Sequence, residues 1–191
     1  QEVGFSLKNR YDSLKLFTNI RHDSLAGFKF PGDPNKFPGK DEVVNYLKEY
    51  AKKFSLPIQL NTKVLKISKN ASGIFLVTIE RKDSYSASNV VVCSGLSDVP
   101  FIPTLAQNIN QDIFQLHSSE YKNSSQLKAG PVLVVGGGNS GVQITEELVH
   151  ENRKVYFSFR GKLKSVDIHS PVLQWMDANL VPLLIRYKSF I

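Results

Sequence analysis

Over residues 41–54 the apolar positions Val43, Val44, Leu47, Tyr50, Ala51 and Phe54 return every three or four residues, the period of a helix with one face on a core. Asp41 and Glu42 stand in its first turn and Lys52 and Lys53 in its last, each charge complementing the nearer end of the helix dipole. Leu56-Pro57 ends the pattern. Three β-prone runs follow, at about 62–68, 74–80 and 85–93, parted by Asn70-Ala71-Ser72-Gly73 and Lys82-Asp83-Ser84, which predicts an antiparallel meander. The third run closes on Val90-Val91-Val92-Cys93-Ser94-Gly95, apolar at consecutive positions, so this strand is expected to leave the meander and enter a parallel sheet buried on both faces.

The first forty residues carry many prolines, glycines and aromatics and read as an ordered loop; Pro100-Phe101-Ile102-Pro103 and the polar stretch after it read as a connector. Beyond the connector, Val132-Leu133-Val134-Val135 is a short buried strand. Gly136, Gly138 and Gly141 then fill G-x-G-x-x-G, and Val142, Ile144, Leu148 and Val149 give residues 140–150 a helical stripe. A glycine triplet of this spacing is weak evidence alone. Between a strand and a helix it is specific, because the glycines then supply a tight turn, close approach of backbone to a pyrophosphate, and close packing of helix on strand. Free N–H groups at the helix start, with Asn139 and Ser140 beside them, would hold the phosphates.

A further strand at 154–159 completes a βαβ unit and ends at Arg160. Where NAD-preferring sites place an acidic residue on the ribose hydroxyl, a planar cation pairs with a 2′-phosphate, so the expected cofactor is NADP. The bland alternative is a packing turn with Arg160 merely solvated.

Composition narrows the classes. Twenty-four Lys and Arg against 17 Asp and Glu leave a formal charge of +7, but the basic residues are scattered, with no basic stripe interleaved with aromatics, so nucleic acid is not an expected partner. No apolar run is long enough to span a bilayer, and the chain start has no secretion-signal pattern, so a cytoplasmic protein with no membrane association is expected. The single cysteine, Cys93, permits neither an internal disulfide nor a redox-active pair, which argues against a thioredoxin-reductase-like disulfide reductase. No metal-ligand cluster and no Ser-His-Asp arrangement stands out.

Four stretches resemble the flavin-containing monooxygenase family of FAD/NADP flavoproteins: RYDSLKLFTN at 10–19, FPGKDEVVNYLKEYA at 37–51, VVVCSG at 90–95 with Pro100 and Pro103 after it, and HSSEY leading into VLVVGGGNSG. The resemblance implies an α/β, two-dinucleotide-domain (Rossmann-like) fold, here incomplete, with an antiparallel β-meander: residues 1–105 as part of an FAD-binding domain and 106–191 as part of an NADP-binding domain. It implies NADPH reducing FAD, reduced flavin activating oxygen, and a small-molecule substrate, a soft nucleophile or a carbonyl compound. By the same likeness Thr18 and Asn19 would lie near flavin and nicotinamide, with Asn19 as the catalytic candidate since an amide donates and accepts at once. Val64 would offer backbone to the FAD adenine, and Gly95 would approach FAD at a strand end. A turn-forming Asn19 is the competing reading.

Two departures from the family pattern stand out. Of F-x-G-x-x-x-H-x-x-x-Y only His117 and Tyr121 are present, with Gln111 and Ile113 at the Phe and Gly positions. A lone His in a connector is read as a hydrogen-bonded hinge. The family's FAD-binding glycine turn is also missing from the sequence, so this chain alone is expected to hold FAD poorly, and its reading frame is expected to extend upstream. The rival to a flavoprotein monooxygenase is a non-catalytic NADP-binding or interaction fragment.

Overall fold

The computed structural model describes residues 2–81, 83–95 and 99–160; the rest of the expected NADP unit, 161–191, lies outside the described residues. A short helix α1 (Phe5–Lys8) leads into a loop segment that runs to Gly39, as its proline and glycine content predicts. Helix α2 (Lys40–Lys53) follows. The Gly39 N–H donates to the Glu42 carboxylate (3.0 Å), a carboxylate that also pairs with Lys36 (2.7 Å), so the helix start is closed by its own third residue.

Buried Val43, Val44 and Tyr46 form the inner face of α2. Tyr46, three residues past Val43, joins this face though it is absent from the predicted apolar set, and its hydroxyl finds partners there. It donates to Phe28 O and accepts from Leu25 N, each at 2.6 Å, while its ring lies 4.4 Å from Phe30. Ile20, Phe30, Val43 and Tyr46 make one core. Lys40, though 7% exposed, is paired with Asp12 (2.6 Å) and donates to Arg10 O (3.0 Å). Hydrogen bonds from Lys40 and Asn123 hold the Asp12 carboxyl below its ordinary range.

The meander forms as predicted, with β1 (Val64–Lys69), β2 (Phe75–Ile79) and β3 (Ser84–Ala87) antiparallel in sequence order. Gly73, at φ +81°, closes the β1–β2 turn by donating to Asn70 O (3.0 Å), while the Asn70 side chain accepts from Ile74 N (2.9 Å).

The third strand does not continue to Cys93. It stops at Ala87, and Val91 and Val92 are 85% and 69% exposed. Among the described residues neither sheet takes in 90–95, so the run has no strand beside it and no layer over it.

That pair is β4 (Val132–Val135) and β5 (Val155–Ser158), joined by α3 (Asn139–His150). Ile144 and Leu148 of α3 pack on Val132, Val134 and Val155, together with Tyr11 and Tyr121, into a second core. Fully burying side chains of this size contributes about 1.5–3 kcal/mol each. The connector before β4 contains 3₁₀ turns at Thr104–Asn108 and Ser124–Gln126, and the Arg153 guanidinium fastens it to the α3–β5 turn by donating to the carbonyls of Lys128 (3.1 Å) and Leu127 (3.2 Å).

Candidate functional site

A glycine turn joins β4 to α3. Gly136 donates its N–H to Ser158 O at the end of β5 (2.8 Å) and then turns at φ +115°, a conformation that side-chain-bearing residues avoid. Gly138 caps α3 in an extended conformation, and the first bond of the helix runs from Val142 N to Gly138 O (3.0 Å). The N–H groups of Asn139, Ser140 and Gly141 therefore precede the helical ladder and have no acceptor within it. With the helix dipole they make the positive end of α3.

The glycines divide by what surrounds them. A Cβ on Gly136 or Gly138 would meet nothing within 4 Å. One on Gly141 would be driven into the Gly136 carbonyl oxygen. The third glycine thus serves helix-to-turn packing, while the first two border open space. A cavity of about 330 Å³ lies along this corner, with Gly136, Gly138, Ser140 and Gly141 at its polar end and Leu127, Val132 and Leu148 among its apolar walls. Arg160, exposed, stands two residues beyond β5 on the sheet edge from which the turn departs. Uncrowded backbone donors at the start of a helix suit a phosphorylated anion.

The expected flavin-side residues lie in three other places. Asn19 sits in a turn, its carbonyl accepting from His22 N (2.9 Å), while its side-chain oxygen is buried with no hydrogen-bond partner. A buried acceptor left unmatched costs about 1–3 kcal/mol. Thr18 donates to the Asp23 carboxylate (2.5 Å), whose other oxygen is likewise buried and unpartnered. Val64 opens β1, paired with Ile79 beside a bulge. Gly95 has φ +78° and nothing within 4 Å of its Cβ position, but it ends an irregular, exposed segment and not a strand; this corrects the strand-end placement, for the reason that corrects β3.

His117 is a turn residue. Its Nδ1 accepts from Ser119 N (3.2 Å) and its carbonyl accepts from Glu120 N and Tyr121 N, which leaves the ring as the stop of a local turn. Tyr121 is 3% exposed and donates to Glu147 of α3 (2.9 Å). Burial, together with the Glu147 carboxylate, pushes the Tyr121 phenol well above its ordinary 10.0. The remnant H-x-x-x-Y thus docks the connector on α3.

Sequence reasoning overlooked the polar partners on α3. Ser13 donates to Glu147, and Gln143 bonds the backbone of Lys15 and the Tyr11 hydroxyl. Their signal was available: Gln143 and Glu147, four apart, flank the buried pair Ile144 and Leu148, also four apart.

Residues 14–184 match the family model of pyridine nucleotide-disulphide oxidoreductases. An oxidoreductase of Geobacillus kaustophilus named as CzcO-like and uncharacterized is 48% identical over 98% of this chain and 53% of its own length. Rabbit (Oryctolagus cuniculus) flavin-containing monooxygenase 1 is 36% identical over 71% of this chain and 28% of its own. A solved flavin-containing monooxygenase from Stenotrophomonas maltophilia shares the fold, with a TM-score of 0.76 at 24% identity over 89% of this chain and 51% of that one. The chain spans about half the length of the bacterial relatives it matches.

Proposed function

The chain belongs to the pyridine nucleotide-disulphide oxidoreductase family, and from that premise we propose that it is the NADPH-binding part, with a share of the flavin site, of a flavoprotein monooxygenase-like oxidoreductase. The observation that carries the proposal is the corner at Gly136 and Gly138, where unencumbered backbone and the first amides of α3 face open space. Gly136, Gly138, Asn139, Ser140 and Gly141 would hold the pyrophosphate and Arg160 the 2′-phosphate. Thr18 and Asn19, with the backbone at Val64 and Gly95, would contribute to the FAD site. When bound, the nicotinamide supplies hydride and the flavin supplies its chemistry with oxygen.

The protein's own residues bind, orient and exclude water. Asn19 would accept a hydrogen bond from a bound nucleotide through its orphan oxygen and, as an amide, donate another. The substrate class is a small soft nucleophile or carbonyl compound, and the setting is the cytoplasm. Dithiol exchange would need a second thiol from outside this sequence, because Cys93 is its only cysteine.

Titrating the chain with NADPH and NADH tests the assignment of Arg160. Losing a charged hydrogen-bonding partner costs about 1.5–3 kcal/mol, so Arg160→Ala is expected to weaken NADPH binding about tenfold or more and leave NADH binding nearly unchanged. Equal affinities before and after the change would remove Arg160 from the site.

A further inference from the structure

Gln143 lies on α3 two residues beyond the last glycine of the turn, and its side chain engages a single distant residue from both sides. Its Nε2 donates to Lys15 O (2.8 Å) and its Oε1 accepts from Lys15 N (3.2 Å), as well as from the Tyr11 hydroxyl (3.1 Å). This is the pairing one extended backbone makes with another, here made by an amide. Few side chains can do it, since the group must donate and accept at once. A carboxylate of the same size would present an oxygen to the Lys15 carbonyl, and a hydrocarbon would leave both backbone groups unmatched.

Lys15 is held on its other side too. It bridges to Gly39, Leu16 N donates to Pro38 O (2.9 Å), and Lys40 N donates to Leu14 O (3.0 Å). The segment is therefore a strip clamped between the start of α2 and the middle of α3. Thr18 and Asn19 follow three and four residues on from Lys15, and Ile20, whose N–H donates to Lys36 O (2.9 Å), is anchored in the core of α2. Three to four residues of chain separate the Gln143 contact from the Asn19 oxygen that lacks a partner. Asn19 thus stands between a residue held by Gln143 and one anchored in the core of α2.

We propose that Gln143 is a positioning residue that sets the Thr18–Asn19 turn against the dinucleotide corner, so that occupation of the corner is felt at Asn19. The inference rests on the nucleotide-binding reading above and adds to it the means by which the two halves of the site keep register. Gln143 lines neither the corner nor the cavity beside it.

The test is amide hydrogen exchange on the chain with and without NADP⁺, with binding followed separately by calorimetry. In the unaltered chain NADP⁺ is expected to slow exchange both at 139–142 and at the Leu16 and Ile20 amides. In Gln143→Ala the affinity is expected to stay within about fivefold, protection at 139–142 to remain, and the response at Leu16 and Ile20 to vanish. Gln143→Glu keeps the side-chain volume and the acceptors but removes the donor to Lys15 O, and is expected to reduce the response; it decides the matter if the alanine variant fails to fold. A merely structural tie would lower the melting temperature of either variant and leave the nucleotide-dependent difference in place. An undiminished response in both folded variants, or NADP⁺ binding to the unaltered chain with no response at Leu16 and Ile20, would overturn the inference. Failure of NADP⁺ to bind the unaltered chain would instead overturn the nucleotide reading, and this inference with it.

Discussion

At Gly141 a methyl group has no room, because the Gly136 carbonyl occupies the place where it would go. Helix and turn would have to separate to admit it, and overpacking of this kind costs about 1–3 kcal/mol. Gly141→Ala is therefore expected to lower the chain's melting temperature measurably, by circular dichroism, before any ligand is added; an unchanged melt would contradict the close packing described. The G-x-G-x-x-G spacing and its place between strand and helix were legible because each glycine answers a backbone constraint that spacing alone expresses. Three separate roles were legible too; that the Gly136 carbonyl is the group crowding the third glycine was not, since it depends on which carbonyl faces which Cα. Asn19 shows the same boundary: its polarity within RYDSLKLFTN was visible, whereas the absence of any partner for its oxygen is a property of the folded interior.

Helix α3 is held by polar groups from two directions, with Ser13 and Tyr121 both donating to Glu147. The Tyr121 phenol ionises at higher pH in the folded chain than its ordinary 10.0, so the folded state keeps a proton that the unfolded state releases. That contribution is fully present below pH 10 and is lost as pH rises through the elevated folded-state value. Melting temperature is thus expected to fall more steeply above pH 10 in the unaltered chain than in Tyr121→Phe, and identical slopes would remove Tyr121 from the account. Among the elements, α2 followed from periodicity, since one buried face imposes a period of 3.6, and the meander from β-prone runs parted by turn residues. The run at 90–95 misled because consecutive apolar residues state a preference for burial without supplying the neighbours that would bury them.

The described residues include a meander, a loop segment packed on α2, and a βαβ unit joined to that segment through α3. Charge, cysteine content and order of motifs were sufficient to point to a dinucleotide-binding oxidoreductase, because these properties do not depend on tertiary contacts. The joint between the parts was hidden, because Gln143 meets Lys15 across 128 positions of sequence. Among the described residues the β4–β5 pair is covered by α3 on one face only: Leu133, Val135 and Tyr156 on the other are more than half exposed. No described helix is long and apolar enough to cross a membrane.

The central claim is that the corner at Gly136 and Gly138 receives the diphosphate of a pyridine nucleotide. Gly138→Val places its side chain where nothing among the described residues lies within 4 Å of the new Cβ, so the fold should be unaffected while the approach of a ligand is blocked. Calorimetric titration of NADP⁺ into the unaltered chain and the variant, with thermal melts alongside, is the direct measurement. The account predicts equal melts within about 2 °C and loss of NADP⁺ binding in Gly138→Val. A variant that folds and binds NADP⁺ as tightly as the unaltered chain would contradict it.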